Sequence, residues 1–473
     1  MRNLKRALSL ALAAIMLVGM MVVSASAASY NNLTDKDEIV NKDAVSMLVS
    51  LGIIEGKPDG SYGPTENVDR AQMAKMLSVI MNKGVDNSAL YQSVNSGLVD
   101  VNTNWAKGHI NYCYTTGIIA GRGNGKFDPS ATVTALEAAK MLLVAVGYDP
   151  AIEGFEGADW AINVSVRADE QGIFEGFTKD LSAPLNRDDA ALLIYNALDV
   201  EMIQSYTTNN YPIAYSDHRT ILADKYGVIK VQGVVVANEW ASLASDDGDA
   251  ALKEGKTTIY NGEGIFSTTG NTTVSKEDAS LKTQTFNVST PVDMLGKTVN
   301  LYIKKTTILA DSTVYGDPVV SDVNTVVTTG ETVLYSGAKD PQVDYDKLLG
   351  ENGLTDKDAK YFWNYNSGKY IPNTTEKYGD KTANVKGATL TIIDNNGDGE
   401  VDYVLSVEEA LADITSVNSK KETVTVRTLG TLDNKDVVGY EDMAKEDVVL
   451  YVQYGGRTYL EKPEVVTGEM EHF

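Results

Sequence analysis

Arg70 and Arg187 each follow a good helix-capping side chain, Asp69 and Asn186, at the start of a stretch with helical periodicity. A cation at the first helical position opposes the helix macrodipole by about 0.3–1 kcal/mol when exposed, so helix stability does not account for it. A guanidinium beside free backbone N–H groups makes an anion site, because both can give charge-assisted hydrogen bonds to a carboxylate. Asp69, Arg70, Asn186 and Arg187 are therefore candidate ligand contacts, with the caps as framework. A second cluster suits a hard cation. Asp394, Asn396, Asp398 and Asp402 fall at loop positions one, three, five and nine, with Gly399 at six and Glu400 beside it, in the oxygen pattern of a calcium loop. Asp394, Asn396, Asp398, Glu400 and Asp402 are the candidate ligands and Ca2+ the cofactor expected. Leu405 stands at position twelve, where a bidentate glutamate is usual, which implies modest affinity. The competing reading is a plain Asn-Gly and Asp-Gly hairpin turn with solvated acids.

Catalysis finds little support. The histidines His109, His218 and His472 fall in a repeat helix, a connection and the terminal tripeptide, and no Ser-His-Asp set or His-Glu-x-x-His motif is visible. Two carboxylates could still converge in space, which is all a glycosidase needs. The expectation is a protein that is not an enzyme. With 41 Lys+Arg against 65 Asp+Glu the formal net charge is −24, which argues against nucleic acid as a partner and favours divalent cations.

The candidate anion contacts sit in a segment that occurs three times between Asn31 and Met202. In the first copy Gly52-Ile53-Ile54 closes a helix-like stretch, followed by Gly56, Pro58-Asp59-Gly60, Tyr62-Gly63-Pro64 and Ala74-Lys75-Met76-Leu77. Gly117-Ile118-Ile119, Gly121, Asn124-Gly125, Phe127-Asp128-Pro129 and Ala139-Lys140-Met141-Leu142 repeat it 65 places later (117 − 52, 139 − 74). Gly172-Ile173-Phe174, Gly176, Pro184 and Ala191-Leu192-Leu193-Ile194 form a worn third copy. Each copy reads as helix, turn-rich loop, helix, with Met73, Met76, Leu77 and Ile80 marking one buried face. One such pair has little core; three packed together could share one. Cys113 lies among apolar positions and reads as a core residue.

The Gly-Ile-Ile stop, the Gly-x-Pro-Asp-Gly-x-Tyr-x-Pro loop, the Asp69-Arg70-Ala71-Gln72 start and the Trp-Ala pairs at Trp105 and Trp160 resemble the S-layer homology (SLH) domain family. The resemblance implies a pseudo-threefold all-α bundle that holds secondary cell-wall polysaccharide, commonly pyruvylated, in grooves between repeats. It implies that Arg70 and Arg187 meet the ketal carboxylate and that Trp105 and Trp160 line the groove. Ala135 replaces the arginine in the second copy, and the first has no tryptophan near Ile39, so at most two grooves are expected to be competent.

Arg2, Lys5 and Arg6, the uncharged run Ala7 to Val23 and Ala25-Ser26-Ala27 have the layout of a secretory signal, with cleavage expected after Ala27 and no membrane span after it. Beyond Met202 the composition turns to alternating, β-branched runs such as Val228–Val231, Val299–Ile303, Thr389–Ile393, Thr423–Val426 and Val448–Val452. The expected class is α+β multidomain: signal 1–27, repeats 28–91, 92–152 and 153–204, a linker or irregular connection 205–220, and all-β, sandwich-like modules 221–345 and 346–473. The whole reads as a secreted, wall-attached structural component that binds wall polysaccharide and self-associates in a surface array. The rival is an extracellular enzyme or sugar-binding protein on the same anchor, with its activity in 220–473.

Overall fold

The computed structural model describes residues 30–244, 251–265, 281–304, 309–329, 342–343, 345–367, 383–384 and 388–463. The expected export signal lies outside them. No helix among the described residues is long and apolar enough to cross a membrane. The architecture is α+β, with helices confined almost wholly to the first half and mostly antiparallel sheets in the second.

The three copies supply six helices: α1 Lys42–Ser50, α2 Arg70–Met81, α3 Lys107–Thr115, α4 Ala135–Val146, α5 Trp160–Glu170 and α6 Arg187–Leu198. Asp69 and Thr134 form capping boxes with Gln72 and Glu137, and Asn186 accepts from the Asp189 amide. These satisfy helix-start donors that would otherwise be buried unpaired. The helices of one copy do not pair mainly with each other. α3 packs on α2, α5 on α4, and α1 closes the circle on α6. The strand-like residues before α2, α4 and α6 close a second circle: Val133 N donates to Val68 O, Leu185 N to Val133 O and Val68 N to Leu185 O, at 2.8–2.9 Å. One core runs through all three copies, with Leu48, Met73, Leu77, Cys113, Phe127, Leu142 and Ile194 almost wholly buried. Burial pushes the Cys113 thiol up, as befits a packing residue.

Residues 205–220 are not an open linker. Ile203–Tyr206 and Pro212–Ala214 pair as a small hairpin, and the Tyr206 hydroxyl donates to Glu153 at 2.9 Å. Val228 and Tyr302 of the first large sheet belong to the helical core, and the Tyr195 and Tyr302 hydroxyls meet at 2.9 Å. The helices and that sheet therefore share packing instead of being strung on a tether.

The first sheet runs in the order Thr283–Phe286, Thr257–Tyr260, Val228–Asn238, Thr298–Lys304, Thr313–Val320. A second is built from Thr325–Thr329, Ala388–Asp394, Tyr403–Glu408, Lys360–Trp363 and Asn366–Ser367. The two share a core of Ile229, Leu301, Phe362, Ile393 and Leu405. A third sheet, within Ala410–Glu461, has its own core around Ile414, Val424, Val426 and Val449. It docks through the tip of the hairpin formed by Val448–Tyr454 and Arg457–Glu461: a Cβ on Gly455, whose φ is +58°, would lie 1.8 Å from the Trp240 carbonyl oxygen, and Tyr459 packs 6.3 Å from the Trp240 ring. Gly455→Val is expected to cost about 1–3 kcal/mol of docking through strain and steric exclusion. Hydrogen exchange should then rise selectively in 410–461, with protection of the helical core unchanged.

Candidate functional site

Both arginines point across a repeat boundary. Arg70 Nε donates to Phe127 O at 2.8 Å and Nη2 to Ala120 O at 2.9 Å, and its guanidinium stacks 4.4 Å from the Phe127 ring centroid. Arg187 does the same to the first copy: Nε to Tyr62 O at 2.8 Å, Nη2 to Glu55 O at 3.5 Å, and a stack 4.7 Å from Tyr62. Burial and the neighbouring Arg122 bring the Arg70 guanidinium down to about 10, so it remains charged at neutral pH.

The helix starts differ from the sequence expectation. Arg70 N donates to Ala131 O and Ala71 N to Pro129 O, while Arg187 N and Asp188 N donate to Glu66 O and Pro64 O. With Asp69 and Asn186 taking the next amides, no free N–H group is left in the first three positions of α2 or α6. The caps therefore act on the helix, and the anion-binding capacity lies in side chains.

Those side chains converge in two clefts. One, of about 490 Å³, is lined by Arg70, Arg122, Glu137, Lys140, Glu156 and Trp160 among others. The other, of about 220 Å³, is lined by Arg187, Lys57, Glu55, Gln72, Lys75 and Trp105. Arg122, Glu137 and Lys140 correspond to Lys57, Gln72 and Lys75 in the 65-residue register (122 − 57, 137 − 72, 140 − 75), so the clefts are two copies of one design. Each draws its arginine from the preceding copy, its lysine from its own second helix and its tryptophan from the following copy. Arg70 faces Trp160 and Arg187 faces Trp105. At the third boundary Ala135, Leu192 and Val40 occupy the arginine, lysine and tryptophan slots.

Lys140 Nζ donates to Phe155 O at 2.5 Å and lies 5.7 Å from the Trp160 centroid; burial, with Arg70 adding to it, holds its ammonium below the ordinary value against the opposing pull of Glu156. Lys75 lies 3.9 Å from Glu55, and Trp105 is 58% exposed. Lys75, Lys140, Lys57 and Arg122 were not among the sequence candidates. The usable signal was the lysine of Ala-Lys-Met-Leu, present in copies one and two and lost in copy three. Asp35 and Asp100, equivalent in the same register, brace the loops beneath each arginine, accepting from the Tyr62 and Gly63 amides and from the Phe127 and Asp128 amides at 2.7–2.9 Å.

The turn at 394–402 is held by its own acids. Asp394, 1% exposed, accepts from the Asn396, Gly397 and Gly399 amides, Asn396 from Asp398, Asp398 from Glu400, and Asp402 from Asn395, while Glu400 pairs with Lys357. No group of three His, Cys, Asp or Glu with metal-binding geometry is present among the described residues. In this arrangement the acids hold the turn's own amides, and Lys357 competes for Glu400.

One Ser-His-Asp chain does assemble, which the sequence did not reveal. Ser78 Oγ lies 2.6 Å from His109 Nδ1, and His109 Nε2 is 3.6 Å from Asp86 Oδ2. Ser78 is 4% exposed and its hydroxyl also reaches Lys75 O at 2.9 Å, so the chain ties α2 to α3.

The repeat region thus presents two clefts, each lined by an arginine, a lysine and a tryptophan. The S-layer homology domain matches residues 32–74 and 99–139, so the chain carries that domain and is a surface protein attached to the cell wall. It is 28% identical over 270 residues, 57% of this chain, to the cell surface protein of Thermoanaerobacter kivui, and 27% identical over 241 residues, 51% of this chain, to the middle cell wall protein of Brevibacillus brevis. It spans 32% and 22% of those proteins. It is also 31% identical over 172 residues, 33% of this chain, to the amylopullulanase of Thermoanaerobacterium thermosulfurigenes, of which it spans 9%.

Although burial alone would raise them, the amides hold the Asp35 and Asp100 carboxyls below their ordinary value. A depressed folded-state pKa gives stability that is complete above the unfolded value of about 3.9 and is lost as pH falls through the folded one. Calorimetry should show the repeat transition of the wild type falling below about pH 4. The Asp35→Asn, Asp100→Asn pair should melt lower at pH 7 and lose less on acidification.

Proposed function

We propose that residues 31–202 form three S-layer homology repeats in a pseudo-threefold bundle that anchors the chain by binding an anionic secondary cell-wall polysaccharide, in keeping with a pyruvylated one. The observation that carries this is the twofold recurrence of arginine, lysine and tryptophan, drawn from three different copies, around one cleft. A ketal carboxylate meets the cations through charge-assisted bonds of about 1.5–3 kcal/mol each, while the indole packs on a sugar face. Two clefts on one chain add avidity along a repeating polymer. The β sheets are displayed outward as a structural, array-forming component, and the protein has no catalytic role in this reading. The match to the cell surface protein supports it, because 270 residues are more than the repeats contain and must extend into the β region. The rival, an anchored enzyme or carbohydrate-binding protein with its activity in 220–473, draws on the amylopullulanase, which matches over 172 residues.

Co-sedimentation of the full chain with purified cell-wall sacculi tests this directly. Binding should disappear when the polysaccharide is stripped from the wall. Arg70→Ala with Arg187→Ala should release the protein, but these arginines also brace repeat boundaries. Lys75→Gln with Lys140→Gln keeps the arginine braces, giving up only the Lys140 bond to Phe155 O, and should weaken binding roughly 10- to 100-fold per cleft, the equivalent of one lost charge-assisted bond. Unchanged sedimentation of the lysine pair would remove the clefts as the site.

Calcium at Asp394, Asn396, Asp398, Glu400 and Asp402 is a second proposal, favoured by the crowding of negative charge there: burial, with Asp394 and Asp398 adding to it, raises the Asp402 carboxyl. Calorimetry of the full chain should give heat at millimolar Ca2+ that Asp398→Asn with Glu400→Gln abolishes. Absence of heat in the wild type would end this proposal.

A further inference from the structure

The two clefts share a design but differ in one wall. In the Arg70 cleft, Phe155, Glu156 and Gly157 stand between the second helix and the tryptophan, whereas nothing from the corresponding segment lines the Arg187 cleft. This wall is anchored. Phe155 is fully buried and donates its amide to Pro150 O, Asn163 Nδ2 holds Gly154 O at 2.9 Å, and Lys140 is fixed on Phe155 O. The wall accompanies the difference in volume, about 490 Å³ against 220 Å³. Pockets that enclose ligands of several rings run from about 300 to 1,000 Å³, so one cleft falls within that range and the other below it. The cations differ in the same sense. Arg70 is 5% exposed with both carbonyl contacts under 3 Å, while the second contact of Arg187 stretches to 3.5 Å and Trp105 stands 58% exposed against a half-buried Trp160. A preordered cation and ring lose less freedom on binding.

We propose that the two clefts divide the ligand unequally: the Arg70 cleft takes a disaccharide, its anionic sugar between Arg70 and Lys140 and the next, neutral sugar against Trp160 and the Phe155–Gly157 wall, while the Arg187 cleft takes the anionic sugar alone. Glu156 fits this assignment, because an exposed carboxylate accepts hydroxyl donors from a neutral sugar and repels a second anionic one. The proposal rests on the polysaccharide reading above.

The test uses the full chain and two synthetic probes, a pyruvate-ketal hexosamine and the disaccharide that extends it by one neutral sugar, each titrated calorimetrically. The wild type should bind the disaccharide about tenfold more tightly than the monosaccharide, the equivalent of one or two added neutral hydrogen bonds. Lys140→Gln with Trp160→Ala should abolish that preference and leave monosaccharide binding at the other cleft. Lys75→Gln with Trp105→Ala should keep it and halve the stoichiometry for the monosaccharide. Glu156→Gln, an exposed change, should reduce the preference. A preference that follows Lys75 and Trp105, or is absent while the monosaccharide binds, overturns the division but leaves the anchor standing. Failure of both probes to bind the wild type overturns both.

Discussion

The triangle of backbone hydrogen bonds among Val68, Val133 and Leu185 is the constraint on which the repeat region depends. Each bond joins residues from two different copies, so the triangle closes only when all three copies are present. The residues immediately following enter α2, α4 and α6, and the triangle therefore fixes where each helix begins. With the starts fixed, Arg70 and Arg187 reach carbonyls one copy away, and the loops they reach are braced by Asp100 and Asp35. The clefts are thus products of ring closure, and no single copy contains one.

The same closure gathers cations in a chain of net charge −24. Lys57, Lys75 and Arg187 gather in one cleft, Arg70, Arg122 and Lys140 in the other. At physiological ionic strength the Debye length is about 8 Å, so distant acids are screened, while within each cleft three cations face Glu55 in the first and Glu137 and Glu156 in the second. Crowding these cations costs solvation, visible in the depressed Arg70 and Lys140. The anionic ligand proposed above would relieve that cost.

Continuity between the helices and the first sheet bears on how a wall anchor transmits load. Tyr195 on Tyr302, Lys230 on Asp199 at 3.0 Å and Gly316 close against Met47 make the junction a packed interface. A flexible tether would let the β sheets reorient freely, whereas this arrangement gives them a set direction relative to the clefts. That geometry suits a component whose neighbours must register with one another.

Much of the outline was legible in the sequence because it depends on local rules. Capping side chains, Gly stops and a 65-residue register marked α2, α4 and α6, and β-branched alternation located strands such as Thr423–Val426 within their observed bounds. The losses, arginine in copy two, lysine in copy three and tryptophan in copy one, fall at a single boundary only once the copies are paired in space. What the sequence could not supply was which copy's arginine meets which copy's tryptophan, since that pairing follows from α1 packing on α6 and not on its own partner. The helix amides expected to receive an anion were claimed by carbonyls far away in the chain. Residue types and spacing settle which groups a segment can offer; only tertiary closure decides which of them remain available, because hydrogen-bond partners and charges compete in space without regard to sequence order.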